Sequence, residues 1–133
     1  MPTHPLADRI IALRPFVPGK DFEVSKRFYG DLGFQVVPLG DNIADVSIGA
    51  FAFLLQDYFV QVWADNFVMH MLVHDLDRWW ANIAALDLPA RYGVRAPVPP
   101  RLEPWGLRVA YVFDPSGVLW HFAEEPEAAA QAS

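Results

Sequence analysis

The 133-residue chain contains no cysteine, which excludes disulfides, thiolate metal ligands and a cysteine nucleophile. Its 10 Lys and Arg residues are outnumbered by 16 Asp and Glu residues, so the formal net charge is −6. This balance leaves little basic surface for phosphate contacts, and we expect no binding to nucleic acid or to anionic membranes. No apolar run is long enough to cross a bilayer, and no signal peptide is recognisable. We therefore expect a cytoplasmic protein.

Several motifs of common enzymes are also missing. The chain has no Gly-rich phosphate loop before a helix, no nucleophile elbow, no HExxH and no useful pair of carboxylates. Apolar residues make up 53% of the chain, which is enough to bury a core. We expect a single domain over residues 1–128, with a flexible tail over residues 126–133.

The first half of the chain, residues 9–57, predicts the order β-α-β-β-β. Strands are expected over residues 9–17, 34–39, 43–48 and 51–56, which are apolar segments bounded by turn residues. Asp21 is a suitable helix N-cap, and Gly33 is a suitable residue after the helix. Between them, one helical face holds Phe22, Ser25, Phe28, Tyr29 and Leu32.

The second half, residues 66–125, predicts the same order after an aromatic linker over residues 58–66. Strands are expected over residues 67–74, 91–95, 107–113 and 118–124. Asp75 or Asp77 can cap a helix that Pro89 ends. Leu76, Trp79, Trp80, Ile83 and Leu86 recur at helical spacing, which indicates packing residues.

The two halves align as an internal repeat. Val17 matches Val73, and at a larger offset Gly49 matches Gly117. The additional residues of the second half therefore lie between its helix and its last hairpin, where we predict a proline-rich loop over residues 96–105. Long loops in compact domains are often functional.

This repeat, with two sequence words, carries a family resemblance. The words are FYGDLGF at residues 28–34 and DPSG at residues 114–117. The chain resembles the vicinal oxygen chelate (glyoxalase/bleomycin resistance/dioxygenase) superfamily, and within it the bleomycin-resistance proteins most of all. The nearer likeness rests on Asp65-Asn66, on Pro104-Trp105-Gly106, and on the residues after DPSG, His121-Phe122-Ala123-Glu124-Glu125.

The resemblance implies an α+β fold in which two tandem β-α-β-β-β modules form curved mixed sheets around a cleft. It implies a homodimer with ligand crevices between subunits. Pro15 falls where such proteins end an N-terminal strand that is exchanged between subunits. Bleomycin-resistance proteins sequester their ligand without chemistry.

Many relatives hold a divalent metal at four positions, which the resemblance assigns here to Ala12, Phe53, Val68 and His121. One ligand in four is too few for a catalytic ion, so we expect no metal cofactor. In an alternating strand, His70 shares a face with Val68. His70 and His121 are therefore expected either as a two-His metal site, as an acid/base pair, or as hydrogen-bonding walls of the cleft.

Aromatic residues supply the remaining candidate ligand contacts. Trp105, beside Gly106 on the proline-rich loop, is either a stacking platform for a flat or cationic ligand or a plug for the sheet. Arg108 is either a solvated edge residue or a partner for an acidic ligand group. Phe59 and Trp63 in the linker suit a subunit interface or a lid over the ligand crevice. Phe34 and Tyr58 are weaker candidates for the same crevice.

Three hypotheses follow for function. The first is a homodimer that binds a planar, aromatic or cationic small molecule without chemistry. The second is a metal-dependent enzyme of the same superfamily that uses His70 and His121. The third is a dimeric interaction module without a small ligand.

Overall fold

The computed structural model describes residues 4–125, so the tail predicted for residues 126–133 lies outside the described part. The first module contains β1 (Phe16–Pro18), α1 (Phe22–Leu32), β2 (Gln35–Pro38), β3 (Ile43–Ile48) and β4 (Phe51–Gln56). A short helix, α2 (Gln61–Asp65), follows. The second module contains β5 (Val68–Leu72), α3 (Leu76–Leu86), α4 (Leu88–Tyr92), β6 (Val98–Leu102), β7 (Arg108–Phe113) and β8 (Leu119–Glu124).

Each module forms one open, mixed four-stranded sheet. The strand orders are β1-β4-β3-β2 and β5-β8-β7-β6. In each sheet the first pair is parallel and the other two pairs are antiparallel. The predicted α+β fold with two β-α-β-β-β modules is confirmed. No helix in the described range 4–125 is both long and apolar enough to span a bilayer.

Helix α1 begins and ends where the sequence predicts. The Asp21 carboxylate accepts a hydrogen bond from the Val24 N–H, and Gly33 adopts a φ of 120°, in the left-handed region that favours glycine. Its predicted apolar face is fully buried. In the second module Trp79 and Trp80 are half-buried against the core, and the Trp79 ring lies 5.5 Å from that of Phe122.

The predicted first strand, residues 9–17, is wrong over most of its length. Only Phe16–Pro18 pairs with β4, after a 3₁₀ turn at Ala7–Arg9. Pro15 accepts a hydrogen bond from the Leu54 N–H, but it has no N–H with which to extend the ladder. Residues 10–15 therefore precede the sheet as a segment that is neither helix nor strand, here called the N-terminal arm. Its Ile11 and Leu13 side chains are 100% and 92% exposed.

The segment between α3 and β7 also differs from its prediction. Arg91 lies in α4 rather than in a strand over residues 91–95, and Pro89 lies in the first turn of α4 instead of ending α3. Strand β6 occupies much of the predicted loop over residues 96–105. Prolines are tolerated there because β6 is an edge strand, and its pairing with β7 shifts register between Val98 and Arg101. Most of the additional residues in the second module therefore form α4 and the segment that leads to β6.

The linker over residues 58–66 likewise contains a helix, α2. The Val60 carbonyl accepts hydrogen bonds from the Trp63 and Ala64 N–H groups, and the Ala64 side chain is buried. A single turn of this length gives little periodic signal in sequence, because its burial depends on contacts with the rest of the fold.

The DPSG turn joins the two modules. The buried Asp114 carboxylate accepts hydrogen bonds from the Ser116 and Val118 N–H groups through Oδ1 and from the Tyr29 hydroxyl of α1 through Oδ2. The Ser116 hydroxyl accepts a further hydrogen bond from the Lys20 N–H. These contacts fix α1 of the first module against the β7–β8 turn of the second.

Candidate ligand site between the two sheets

An apolar cavity lies between β4 of the first sheet and β5 of the second. Its volume is about 290 Å³, and its main apolar walls are Phe34, Phe51, Phe53, Met69, Met71 and Trp120. Strand β5 is an edge strand, and on the other side of the cavity β1 pairs only with Leu54–Gln56, so residues 51–53 of β4 pair with β3 alone. Residues of both strands line the cavity. Aromatic walls of this kind favour a flat apolar group.

Three of the cavity rings pack together as its base. The centroid separations are 5.8 Å for Phe34 and Phe53, 5.6 Å for Phe34 and Trp120, and 5.5 Å for Phe53 and Trp120. Their interplanar angles, 56° to 71°, belong to the tilted and edge-on geometries that aromatic pairs prefer. Phe34, a weak candidate from sequence, therefore belongs to the cavity.

A row of polar side chains crosses the second sheet beside this cavity. His70 on β5 lies opposite His121 on β8, which lies opposite Tyr111 on β7. The Nδ1 atoms of the two histidines are 3.5 Å apart, and the Tyr111 ring stands edge-on to that of His121 at 5.0 Å. The row continues through Glu103, which accepts hydrogen bonds from Tyr111 and from Arg101. His70 belongs to both the row and the cavity.

The surroundings of the row perturb its titratable groups. Burial lowers the pKa of His121, the neighbouring His70 lowers it further, and Glu103 opposes these effects. The Tyr111 hydrogen bond, followed by the Arg101 contacts, lowers the pKa of the Glu103 carboxyl. At neutral pH the row therefore presents a neutral His121 beside an ionised Glu103. Such a row can orient a polar group of a ligand whose apolar part occupies the cavity.

The predicted proximity of His70 and His121 is thus confirmed, whereas the rest of the row is not evident from composition. Sequence reasoning missed Tyr111 and Glu103. One signal was available, because a tight turn at Asp114–Gly117 sets the register of the hairpin, and that register places Tyr111 opposite His121.

The four metal positions implied by the resemblance do not form a donor set. Ala12 is in the exposed N-terminal arm, Phe53 is a buried core residue, and Val68 pairs with Leu119. The strand register also corrects the alignment of the repeat by one residue. Val17 pairs with Leu55 in the first sheet, and Leu72 pairs with Ala123, the position equivalent to Leu55, in the second. Leu72, and not Val73, is therefore the equivalent of Val17. Within residues 4–125, no group of three or more His, Asp or Glu is placed to hold a metal.

Trp105 is at the tip of the β6–β7 hairpin. The loop is closed by hydrogen bonds from the Glu103 N–H to the Leu107 carbonyl and from the Gly106 N–H to the Glu103 carbonyl. Gly106 adopts a φ of 98°, which requires glycine in practice. The Trp105 side chain is 57% exposed, so within one chain it does not plug the sheet.

The linker aromatics lie elsewhere. The Tyr58 and Trp63 rings are 6.4 Å apart, and Lys20 Nζ lies 5.4 Å from the centroid of the Phe59 ring. The Lys20 N–H donates to the Ser116 hydroxyl in the turn that follows β7. Trp105 lies in the loop that precedes β7, at the opposite end of that strand. One chain therefore does not bring Trp105, the Tyr58–Trp63 segment and the cavity into a single site.

Arg108 is neither a free edge residue nor available to a ligand. Its guanidinium donates to Asp77 at 2.8 Å and to Glu124 at 3.0 Å. Glu124 also accepts a hydrogen bond from the Leu76 N–H at the start of α3. Arg108 therefore stabilises the attachment of α3 to the second sheet.

Comparisons with known proteins identify relatives of this architecture. A family model described as the glyoxalase/bleomycin resistance protein/dioxygenase superfamily matches residues 10–122. Comparison with curated proteins gives no significant match. Among solved structures, a bleomycin-binding protein complexed with bleomycin is 21% identical, with a TM-score of 0.74 over 87% of this chain and 99% of its own.

Two further structures show how widely the fold is used. The bleomycin-binding protein of the bleomycin producer Streptomyces verticillus, complexed with copper(II)-bleomycin, is 27% identical, with a TM-score of 0.71 over 86% of this chain and 96% of its own. Lactoylglutathione lyase from Agrobacterium tumefaciens is 18% identical, with a TM-score of 0.63 over 86% and 94%. Proteins that bind a drug and a protein named as a lyase therefore share this architecture.

Proposed function

Because the chain belongs to the glyoxalase/bleomycin resistance protein/dioxygenase superfamily, we propose that it binds and sequesters a planar or aromatic small molecule without chemistry. The observation that carries this proposal is the cavity of about 290 Å³ with Phe34, Phe53 and Trp120 at its base and His70 at its edge. This volume lies just below the range of about 300–1,000 Å³ that is typical of pockets for drug-sized ligands. It suits one ring system, with the rest of the ligand along the polar row.

We propose further that the protein acts as a cytoplasmic homodimer in which the N-terminal arm reaches a second subunit. The arm exposes Ile10, Ile11 and Leu13, and beyond it Phe51, Val68 and Leu72 are exposed near the cavity. Exposure of this many large apolar side chains is costly on a monomer in water. Pro15, where pairing to β4 stops, is the natural hinge.

A second subunit would also complete the crevice. In one chain Trp105 and the Tyr58–Trp63 segment are at opposite ends of β7. A dimer whose crevices lie between subunits can combine such separated aromatics from two chains into one ligand site. The role of Gly106 is then to give Trp105 its position on the hairpin.

Calorimetric titration with bleomycin and with anilinonaphthalene sulfonate tests the proposal. We expect saturable binding by at least one of these probes, a raised unfolding midpoint in its presence, and full recovery of the unchanged compound by mass spectrometry. Phe51→Ser, in the cavity wall, should weaken binding, whereas Leu39→Ser, an exposed apolar residue after β2, should not. Turnover of the compound, or equal affinity in the two variants, would count against sequestration in this cavity.

A second candidate function, metal-dependent catalysis, is favoured by one distance. Two histidine nitrogens bound to one tetrahedral zinc ion lie about 3.4 Å apart, and the Nδ1 atoms of His70 and His121 are 3.5 Å apart. Zinc titration distinguishes the candidates. If His70→Ala/His121→Ala abolishes stoichiometric zinc binding and His4→Ala/His74→Ala does not, the enzyme hypothesis gains support. Equal zinc binding by both double variants rejects it.

A further inference from the structure

The base of the apolar cavity is attached to a buried chain of hydrogen bonds. Trp120 is 2% exposed and lines the cavity. Its indole Nε1–H donates to the Tyr29 hydroxyl at 3.0 Å, and that hydroxyl donates to Asp114 Oδ2 at 2.6 Å. The other carboxylate oxygen, Oδ1, accepts the Ser116 and Val118 N–H groups at 2.8 Å each. Each of the four donors in this hydrogen-bonded network therefore donates to a single acceptor.

The chain of hydrogen bonds crosses the boundary between the modules. Trp120 is on β8, Tyr29 is on α1, and Asp114 is in the β7–β8 turn. The Tyr29 ring also packs against two other cavity residues, with centroid distances of 5.0 Å to Phe53 and 5.8 Å to Phe34. Tyr29 is fully buried and does not itself line the cavity. It acts as the support behind three rings that do.

We propose that Tyr29 and Asp114 are positioning residues that hold the Trp120 indole, and with it the base of the ligand cavity, in one orientation. The inference rests on the proposed function in one respect, namely that this cavity is where the ligand binds. A buried indole N–H without an acceptor is unfavourable. Removing the Tyr29 hydroxyl deprives Trp120 of its acceptor and Asp114 of a donor, so the ring loses the contact that fixes its orientation.

A second tyrosine of the protein provides a matched control for removal of the Tyr29 hydroxyl. Tyr92, half-buried on α4, also donates to a carboxylate, that of Asp31 on α1, but it is outside the cavity walls. Tyr29→Phe and Tyr92→Phe thus delete the same atom from the same type of pair. Only the first deletion changes the support of Trp120.

Two measurements on both variants test the proposal. The first is the dissociation constant of anilinonaphthalene sulfonate, followed by fluorescence. The second is the nitrogen-15 NMR resonance of the Trp120 indole N–H, assigned by comparison with Trp120→Phe, together with its hydrogen-exchange rate. For Tyr29→Phe we expect about a tenfold increase in the dissociation constant, a shifted Trp120 resonance and faster exchange. Tyr92→Phe should change none of these.

The outcomes separate this inference from the proposed function. Unchanged probe affinity and an unchanged Trp120 resonance in folded Tyr29→Phe would overturn the positioning role, even if the variant were less stable. If the wild-type protein fails to bind the probe, the proposed use of the cavity loses support, while the resonance and exchange rate still decide the positioning role. Should Tyr29→Phe not fold, Asp114→Asn, which preserves side-chain shape, carries the same two measurements.

Discussion

His70 and His121 lie directly opposite each other on the parallel strands β5 and β8, and their Nδ1 atoms are 3.5 Å apart. After burial, the neighbouring His70 is the next cause that lowers the pKa of His121. When the Nδ1 atom of one ring donates to that of the other, one Nε2–H donor and one Nε2 acceptor remain at the edge of the cavity. The pair therefore links the apolar cavity to the polar row on the second sheet.

This contact predicts a change in the titration of His121. Burial and the nearby His70 both lower the pKa of the His121 imidazole. Replacing His70 by Ala should therefore raise the pKa of His121 toward its ordinary value, as measured by NMR titration. The replacement of His74, two residues after β5 and outside this pair, should leave the titration of His121 unchanged. A His121 pKa that does not respond to His70→Ala would contradict the contact.

The same shift has a consequence for stability. Because the folded protein holds His121 at a lowered pKa, the unfolded chain takes up the proton more readily, and stability falls as the pH drops below about 6.5. Urea unfolding of wild type should therefore show a larger loss between pH 7 and pH 5 than unfolding of His121→Gln.

Trp105 is predicted to matter for binding and not for folding. Its side chain is 57% exposed on a hairpin tip, so Trp105→Ala should change the free energy of unfolding by less than about 0.5 kcal/mol. If Trp105 stacks on ligand in a crevice completed by the second subunit, the same variant should weaken binding by about 1 kcal/mol. Leu102→Ala, exposed at the end of β6 in the same hairpin, is the control. Normal affinity in Trp105→Ala would remove Trp105 from the site.

The N-terminal arm is predicted to hold the dimer together. Ile11→Asp combined with Leu13→Asp places two charges on side chains that are almost fully exposed in the single chain, so the fold of each subunit should survive. Burial of those charges in a subunit interface would be costly, and light scattering after gel filtration should report monomers. Leu39→Asp, which introduces a charge on an exposed leucine elsewhere, should leave the assembly unchanged. A dimer that persists in the arm variant would exclude the arm as its main contact.

The carboxylate in the DPSG turn predicts a pH-dependent stability of opposite sign to that of His121. Burial raises the pKa of Asp114 from 3.8 to about 6, although hydrogen bonds from Tyr29, Val118, Ser116 and Gly117 oppose this. Tyr29 on α1 contacts the Asp114 carboxylate directly. A surface cavity that Asp114 helps to line is also lined by Asp65, Tyr92 and Arg95. Since the folded protein binds this proton more tightly than the unfolded chain, stability should fall as the pH rises from about 4 to 6.

Comparison with Asp114→Asn isolates this effect, because the variant retains every other titrating group. The stability of wild type relative to Asp114→Asn should decrease by up to about 3 kcal/mol from pH 4 to pH 7, since one pKa unit corresponds to about 1.4 kcal/mol. Urea unfolding at several pH values measures this difference. A difference that is constant, or that grows with pH, would show that Asp114 is not destabilised by its burial.

Local signals made much of the fold predictable. The caps of α1 at Asp21 and Gly33, the hairpin over residues 43–56 and the turn at residues 114–117 depend on residues close in sequence, and each was found. The duplicated element order followed from the same signals. The proximity of His70 and His121 followed once strand alternation placed them on one face.

Other features depended on contacts that sequence spacing does not reveal. A proline-containing strand at β6 is stable because it lies at a sheet edge, and the single turn of α2 is stable because Ala64 is buried by the rest of the fold. Trp105 is separated from Tyr58 and Trp63 because it precedes β7, whereas the linker that holds the other two lies near the turn after β7. Only the arrangement of the strands in the folded protein determines this separation.

The sequence by itself determined the two modules, their order of elements and the turn that ends in Gly117, because these depend on backbone preferences and on periodicity within short segments. Only the tertiary structure decided what lies behind and beside the cavity. Tyr29 meets Asp114 and Trp120 across 85 and 91 residues of chain, and Tyr111 meets His121 across a sheet. Such hydrogen bonds and ring contacts exist only where packing brings distant segments together, so no local pattern predicts them.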